Sequence, residues 1–324
     1  MSSTTTTTTR ISPISNAQIK ELSPEFGAEV CGLDFSRGVN TQSSDLIKEL
    51  VKKYGVVMLR DTNLTDETHL ELAHQFGELD DMTPYIKAGR KSRLRYDQLF
   101  DVSNLEPDGR VFESGSPHAH FNKGNGIFHV DSSFNPRRAG FSLLLAHELP
   151  PAGSGGSTEF CDTRAAWDGL DDDTRAFLLE RDLVACHSIV HSRKMAAPEY
   201  FADMDPDDHF MSRHKLVQRH ERSGRMNLYL AMHIHHIEGL EAQDSERLFW
   251  KLFNHATQEK YRVTVDWHSP GDMVIWDNTC TMHRALGGDF AYKYRRDMRR
   301  ATVHDDSSQA WGLNEHSDDR QGLP

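Results

Sequence analysis

The sequence predicts a mainly β fold, a jelly-roll type of core decorated with helices. Three observations predict it. Clear helical periodicity is confined to the first eighty residues and to one later segment. Short apolar runs of strand length recur elsewhere, punctuated by Gly- and Pro-containing turns. Between them lie long connections rich in charge and histidine, which suits insertions over a scaffold of strands.

Taken in order, Ser44 to Tyr54 reads as an amphipathic helix with Leu46, Ile47, Leu50, Val51 and Tyr54 on one face, and Gly55 stands where a C-terminal cap belongs. Val56 to Leu59 reads as a short buried strand. Thr65 caps a second helix drawn through Glu78. Phe141 to Leu145 is an apolar run of strand length, and Asn227 to Met232 has strand composition. Glu241 to Thr257 is a helix with Leu248, Phe249, Leu252 and Phe253 as its core stripe. Arg262 to Trp267 and Met273 to Trp276 are strands separated by a Pro270-Gly271 turn, and Arg296 to Val303 is the last strand. The expected organisation is a tail over 1–15, one domain over 16–305 and a polar C-terminal tail over 306–324. About 165–225 forms an insertion that could include a lid.

Composition narrows the function. The chain has 324 residues and a formal net charge of −12, so a nucleic-acid partner is not expected. No stretch approaches the ~18 apolar residues that span a bilayer, and the Ser/Thr-rich start lacks the apolar segment of a signal peptide. The four cysteines form no C-x-x-C pair and are expected to be free thiols in a cytoplasmic protein. Homo-oligomerisation is left open.

The chemistry centres on Gly126-Ile-Phe-His129-Val-Asp131-Ser-Ser-Phe134. In an extended chain, residues two apart point to the same side, with ~3.3 Å of rise per residue. His129 and Asp131 can therefore meet one metal ion, as two members of the facial triad that holds non-haem iron(II). With 19 histidines in the chain, chance matches compete. His69-Leu-Glu71 lies in an expected helix, where such residues face apart. His236-Ile-Glu238, beside His233 and His235, and Asp266-Trp-His268 are further rivals. Gly124-Asn125-Gly126 allows close backbone approach before His129, and His283 follows a strand as the distal ligand. Arg295-Arg-Asp-Met-Arg-Arg300 then supplies always-charged, bidentate groups for a dicarboxylate partner of the metal. Two histidines and a carboxylate also suit zinc, so a zinc-dependent hydrolase is the alternative.

These landmarks resemble the taurine dioxygenase / 2,4-dichlorophenoxyacetate dioxygenase family over about Gly27 to Val303. They run in order: Gly27-Ala-Glu-Val-Cys-Gly-Leu-Asp34, Gly55-Val-Val-Met-Leu-Arg-Asp61, Phe76-Gly-Glu-Leu79, Phe121-Asn-Lys-Gly-Asn125, His129-Val-Asp-Ser-Ser-Phe134, Gly155-Gly-Ser-Thr-Glu-Phe-Cys-Asp162, Trp276-Asp-Asn278, Thr281-Met-His283 and Arg295 to Thr302. Leu216-Val-Gln-Arg-His220 and Asn227-Leu-Tyr-Leu230 are closer to the 2,4-dichlorophenoxyacetate branch. Asp80-Asp81-Met82 stands where the taurine branch has histidines.

The resemblance implies a double-stranded β-helix, iron(II), 2-oxoglutarate and O2 as co-substrates, and oxidation of a C–H bond of a small, anionic molecule with release of succinate and CO2. It implies His129, Asp131 and His283 as metal ligands and Arg296 with Thr158 as the 2-oxoglutarate anchor. Arg300 and Asn125 fall to the substrate. Arg296, Met298 and Arg300 share one face of the last strand, which carries Arg300 ~13 Å beyond Arg296. The bland alternative pairs Arg300 with Asp162 or Asp277. Retention of Asp131 argues against halogenation.

Overall fold

The computed structural model describes residues 10–11, 17–83, 92–317 and 319. The expected tail over 1–15 lies almost wholly outside them. The largest sheet comprises β1 (Arg10–Ile11), β2 (Gln18–Ser23), β3 (Phe26–Cys31), β4 (Val56–Leu59), β5 (Leu99–Asp101), β6 (Ala139–Glu148), β14 (Met273–Asp277) and β16 (Asp297–His304). Their order is β1-β2-β3-β4-β14-β6-β16-β5. Opposite it lie β13 (Arg262–Val265), β7 (Thr158–Asp162) and β15 (Thr281–Ala285), in the order β13-β7-β15. A further sheet joins β12 (Ile234–Ile237), β8 (Val184–His187) and β9 (Ser212–Lys215), and β10 (Val217–Arg219) pairs with β11 (Met226–Leu228). Pairing is antiparallel except between β3 and β4.

The two main sheets enclose a core of Met58, Leu144, Phe160, Val263, Trp276 and Met298, the interior of a jelly roll whose sheets are mixed and not closed. Helices α1 (Thr41–Tyr54) and α2 (Asp66–His74) cover the outer face of the large sheet through Ile47, Val51 and Leu72, against Leu143 and Ala301. Asn40 caps α1 by accepting from the Ser43 amide, so that helix starts before Ser44. Gly55, at φ 72, ends it as expected. The second helix stops at His74, short of the expected Glu78. Gly77 at φ 143 turns the chain so that Leu79 can bridge to Val303.

Short helices α3 (Pro117–Asn122), α4 (Thr163–Asp168), α5 (Asp172–Arg181) and α6 (Ile189–Ala196) precede the long α7 (Ala242–Ala256). Helix α7 matches its sequence pattern to within one residue at each end. It buries Phe249, Leu252 and Phe253 against Trp167 and Leu178, each worth ~1.5–3 kcal/mol of apolar burial. The 165–225 segment is knit into this second core, because β8 lies between β12 and β9 and Leu178, Ala185 and Leu216 are buried there.

Of the stretch read as a strand from Asn227 to Met232, only Asn227 and Leu228 join a ladder, that of Met226–Leu228, although Leu230, Ala231 and Met232 are buried. The chain beyond 306 is anchored at least as far as Asn314. The Ala310 carbonyl accepts from the Arg138 amide at 3.1 Å, and the Asn314 side chain accepts from the Arg213 amide at 2.8 Å. All four cysteines are free. Among the described residues, no helix is long and apolar enough to cross a membrane.

Candidate active site

Strand β15 carries His283 to the mouth of the jelly roll, where its backbone exchanges two hydrogen bonds with His129, at 3.0 and 2.8 Å. This bridge sets the two imidazoles 4.2 Å apart between ring centres. Asp131 does not continue a strand, as the sequence suggests. It opens a turn, and Ser132 at φ 54 reverses the chain. The outcome is nevertheless the one the spacing calls for: ligand atoms of His129, Asp131 and His283 all lie within 4.8 Å of one another, and all three residues are buried.

Neighbours fix each ligand. His129 Nδ1 meets the Ile127 carbonyl at 2.7 Å, which leaves Nε2 available to a metal. Asp131 accepts from the Ser142 hydroxyl at 2.7 Å, and its amide donates to the Asn278 side chain at 3.1 Å. Asn278 also bonds Ser142 at 3.0 Å and receives the Trp276 indole N–H at 3.0 Å. Ser142 sits on β6 between Trp276 of β14 and Thr302 of β16, so the carboxylate is held by the centre of the large sheet.

Burial, reinforced by His129 and Arg300 and opposed by Asp131, leaves His283 titrating well below its ordinary range, and burial also lowers His129. Both are neutral imidazoles at physiological pH, the form that ligates metal. For Asp131 burial works the other way, but Arg300 foremost, then His283 and His129, hold its pKa at about 2. A neutral pair of imidazoles with an ionised carboxylate is a donor set that fits a divalent iron ion.

Two arginines face this centre, Arg296 immediately before β16 and Arg300 within it. Arg296 is buried, donates from Nη2 to the Gly156 carbonyl at 3.1 Å, and leaves Nε sealed without a partner. Burial lowers its pKa to about 10, and among the described residues no carboxylate pairs with it. Its guanidinium lies 6.0 Å from the Trp267 ring and 5.9 Å from that of Phe290. Thr158 reaches the same pocket, its hydroxyl accepting from the Trp267 indole at 3.4 Å. Gly156, at φ 94, admits the arginine: an added Cβ would stand 3.3 Å from Arg296 Nε.

Arg300 donates from Nη1 to Asp131 at 2.5 Å. Asp162 and Asp277, the partners weighed for it from sequence, are engaged elsewhere. Asp162 binds Arg164 at 3.0 Å, and Asp277 binds His220 at 3.0 Å and Arg222 at 3.4 Å. Asn125 is turned to its own loop, donating to Asn122 at 2.7 Å.

The rival histidines separate cleanly. His233 packs edge-on to His129 at 5.8 Å but gives Nδ1 to Ser192. His235 and His236 bond one another at 3.0 Å, and His69 binds the Leu143 carbonyl. A second buried group, His220 with Asp277 and Cys280, also has ligand-like spacing. Its charges are already matched by Arg222 and by His220 itself, whose pKa stands at about 10. Ser142, Asn278 and Gly156 were not singled out from sequence. The Trp276-Asp-Asn278 and Gly155-Gly156 landmarks were the available signals for two of them.

The model of the family described as "Taurine catabolism dioxygenase TauD, TfdA family" matches residues 18–302. The chain belongs to this family. It is 34% identical over 287 residues to the α-ketoglutarate-dependent 2,4-dichlorophenoxyacetate dioxygenase of Cupriavidus pinatubonensis, covering 88% of this chain and 97% of that protein. It is 32% identical to the (S)-phenoxypropionate/α-ketoglutarate-dioxygenase of Sphingobium herbicidovorans, covering 85% and 91%. Among solved structures, AAD-2 in complex with Mn(II) and N-oxalylglycine superimposes with a TM-score of 0.78 at 34% identity, over 90% of this chain and 98% of that one. The 2,4-dichlorophenoxyacetate branch is thereby the right one, and the protein is an Fe(II)- and 2-oxoglutarate-dependent dioxygenase. Nothing among these relatives supports a zinc hydrolase.

Proposed function

We propose that His129, Asp131 and His283 hold the iron, that Arg296 with Thr158 receives the distal carboxylate of 2-oxoglutarate, and that Arg300 reads an acidic group on a small organic substrate. The observation that carries this reading is a buried guanidinium with no anion, Arg296, in the same jelly-roll interior as a His/Asp/His cluster. An unpaired buried charge is costly, and a dicarboxylate that also chelates the metal answers it with a bidentate pair.

When bound, iron with O2 and 2-oxoglutarate supplies the oxidising power, the co-substrate leaving as succinate and CO2 while a substrate C–H bond is oxidised. The chain's own residues position and exclude. The His129–His283 backbone bridge sets the ligand spacing, and Ser142 with Asn278 fixes the carboxylate. Trp276, 4.7 Å from the His283 ring, and Phe160, 6.0 Å from it, keep that side of the centre dry. A cation at the triad draws on the same Asp131 carboxylate that now neutralises Arg300. Arg300 then needs another anion, and the relatives named for phenoxyalkanoic acids suggest a carboxylate on the substrate.

A single domain, with the 165–225 segment over the site and a cytoplasmic location, completes the reading. The free thiols suit a reducing compartment. The test is succinate release by purified protein supplied with 2-oxoglutarate and a panel of carboxylates. Release that requires both Fe(II) and O2, and that a carboxylate accelerates, supports it. Hydrolytic turnover with Zn(II) and no succinate would refute it.

A further inference from the structure

Helix α6 brings a third guanidinium to the catalytic centre. Arg193 donates from Nη1 to the Phe121 carbonyl at 2.8 Å, while its Nε is sealed from solvent and has no partner. Its neighbour Ser192 binds His233, whose ring packs edge-on to His129, so this turn of the helix forms part of the site wall. The chain makes room for it. An added Cβ on Gly124 would collide with the Arg193 guanidinium, so a larger residue there would have to displace it. Gly124 belongs to the 3-10 turn Lys123–Gly126, which leads directly into His129.

Among the described residues, no Asp or Glu forms an ion pair with Arg193. Burial first, and then repulsion from Arg300, draw its pKa down to about 10. A positive charge placed this way in a protein interior is unfavourable unless an anion arrives.

The charges of the centre say how much anion is needed. Arg193, Arg296 and Arg300 face one carboxylate, Asp131, and two neutral imidazoles. Iron(II) and the 2-oxoglutarate dianion cancel one another, so two positive charges remain once both are in place.

We infer that Arg193 is a specificity-determining residue that shares with Arg300 the acidic group of the primary substrate. That group, a carboxylate or a more highly charged oxyacid, is held between α6 and β16. This rests on the functional reading above and adds a residue to its substrate site. Phe121, Phe134 and Phe201, packed around α6, give the same wall an apolar face for the rest of the molecule. The assignment makes the weakly patterned middle of the chain part of substrate recognition.

The test compares 2,4-dichlorophenoxyacetate with its neutral primary amide, scored by succinate release in the iron-loaded enzyme. Three variants are needed: Arg193→Gln, Arg193→Lys and Gly124→Ala. The last leaves Arg193 chemically intact and places a methyl where its guanidinium lies. The parent should prefer the acid. In Arg193→Gln the KM for the acid should rise roughly ten-fold or more and that for the amide much less, so that the preference collapses. Arg193→Lys should recover part of it, and Gly124→Ala should follow Arg193→Gln. Equal losses on acid and amide, or an unchanged KM for the acid, would overturn the inference and make Arg193 a strut for Phe121. A parent that releases succinate but does not prefer the acid overturns it too, together with the assignment of Arg300 to an acidic group, while leaving the iron and 2-oxoglutarate assignments intact. A parent that releases no succinate overturns both.

Discussion

Replacing Arg296 by Met should make the protein more stable without its co-substrate and unable to gain stability from it. The depression of Arg296 from 12.5 to about 10 corresponds to about 3 kcal/mol against the charged form in the ligand-free interior. Loss of the single bond to the Gly156 carbonyl returns about 1 kcal/mol of that. The variant should therefore melt a few degrees above the parent without ligand. With Mn(II) as a redox-inert stand-in, 2-oxoglutarate should raise the melting temperature of the parent and leave the variant unmoved. The milder Arg296→Lys keeps the charge but loses the fork. Its KM for 2-oxoglutarate should rise roughly ten- to a hundred-fold, the ~1.5–3 kcal/mol of a charge-assisted pair. Scanning fluorimetry and succinate assays read the two effects separately. An unchanged KM in Arg296→Lys, together with a full 2-oxoglutarate shift in Arg296→Met, would refute the reasoning and transfer the anchor to Arg295 or Arg300.

Two further outcomes are expected. Arg300→Gln should lose far more activity on a carboxylate substrate than on its amide, as measured by kcat/KM for each. Equal losses would make Arg300 a partner of Asp131 and nothing more. The buried His220–Asp277 pair should shape the alkaline limit of stability. Burial opposes the charge on His220, but Cys280 and Asp277 beside it raise its pKa to about 10. Its folded value lies above the unfolded one near 6.5, so its contribution is complete below about pH 6.5 and is lost as pH rises to about 10. Urea midpoints of the parent should fall across that window, and His220→Phe should flatten the fall. An identical slope in the two proteins would remove His220 from the account.

Much of the centre was legible in the sequence because its chemistry needs particular residue types at particular spacings. His129, Asp131 and His283 meet as the facial-triad pattern requires, even though Asp131 lies in a turn and not in a strand. Arg300 turns inward from β16 to Asp131, and Arg296, immediately before the strand, is buried against Gly156, although the expected strand began at Arg296 and the register shifts between Asp297 and Met298. Helix α7 was legible because burying one face imposes a 3.6-residue period on its apolar side chains. The end of α2 was not, because Gly77 serves a long-range bridge to Val303 that no local signal announces.

The middle of the chain was the least legible part. Several of its buried positions hold polar residues that bond to others outside the segment, as His187 does to Ser133 and Ser192 to His233, and these interrupt the apolar periodicity of buried neighbours such as Ile189 and Val190. Arg193 was hidden by the same effect. Ser142 lies within the apolar run Phe141–Leu145 and reads as a neutral filler until its contact with Asp131 is seen.

The most direct test of the central claim is iron bound per chain, by elemental analysis after anaerobic loading and desalting. It should be measured in the parent and in His129→Ala, Asp131→Ala and His283→Ala, with circular dichroism confirming that each variant is folded. The account predicts about one iron in the parent, and the loss of most of it, with all succinate release, in each variant. Full iron occupancy and turnover in folded His283→Ala would contradict it.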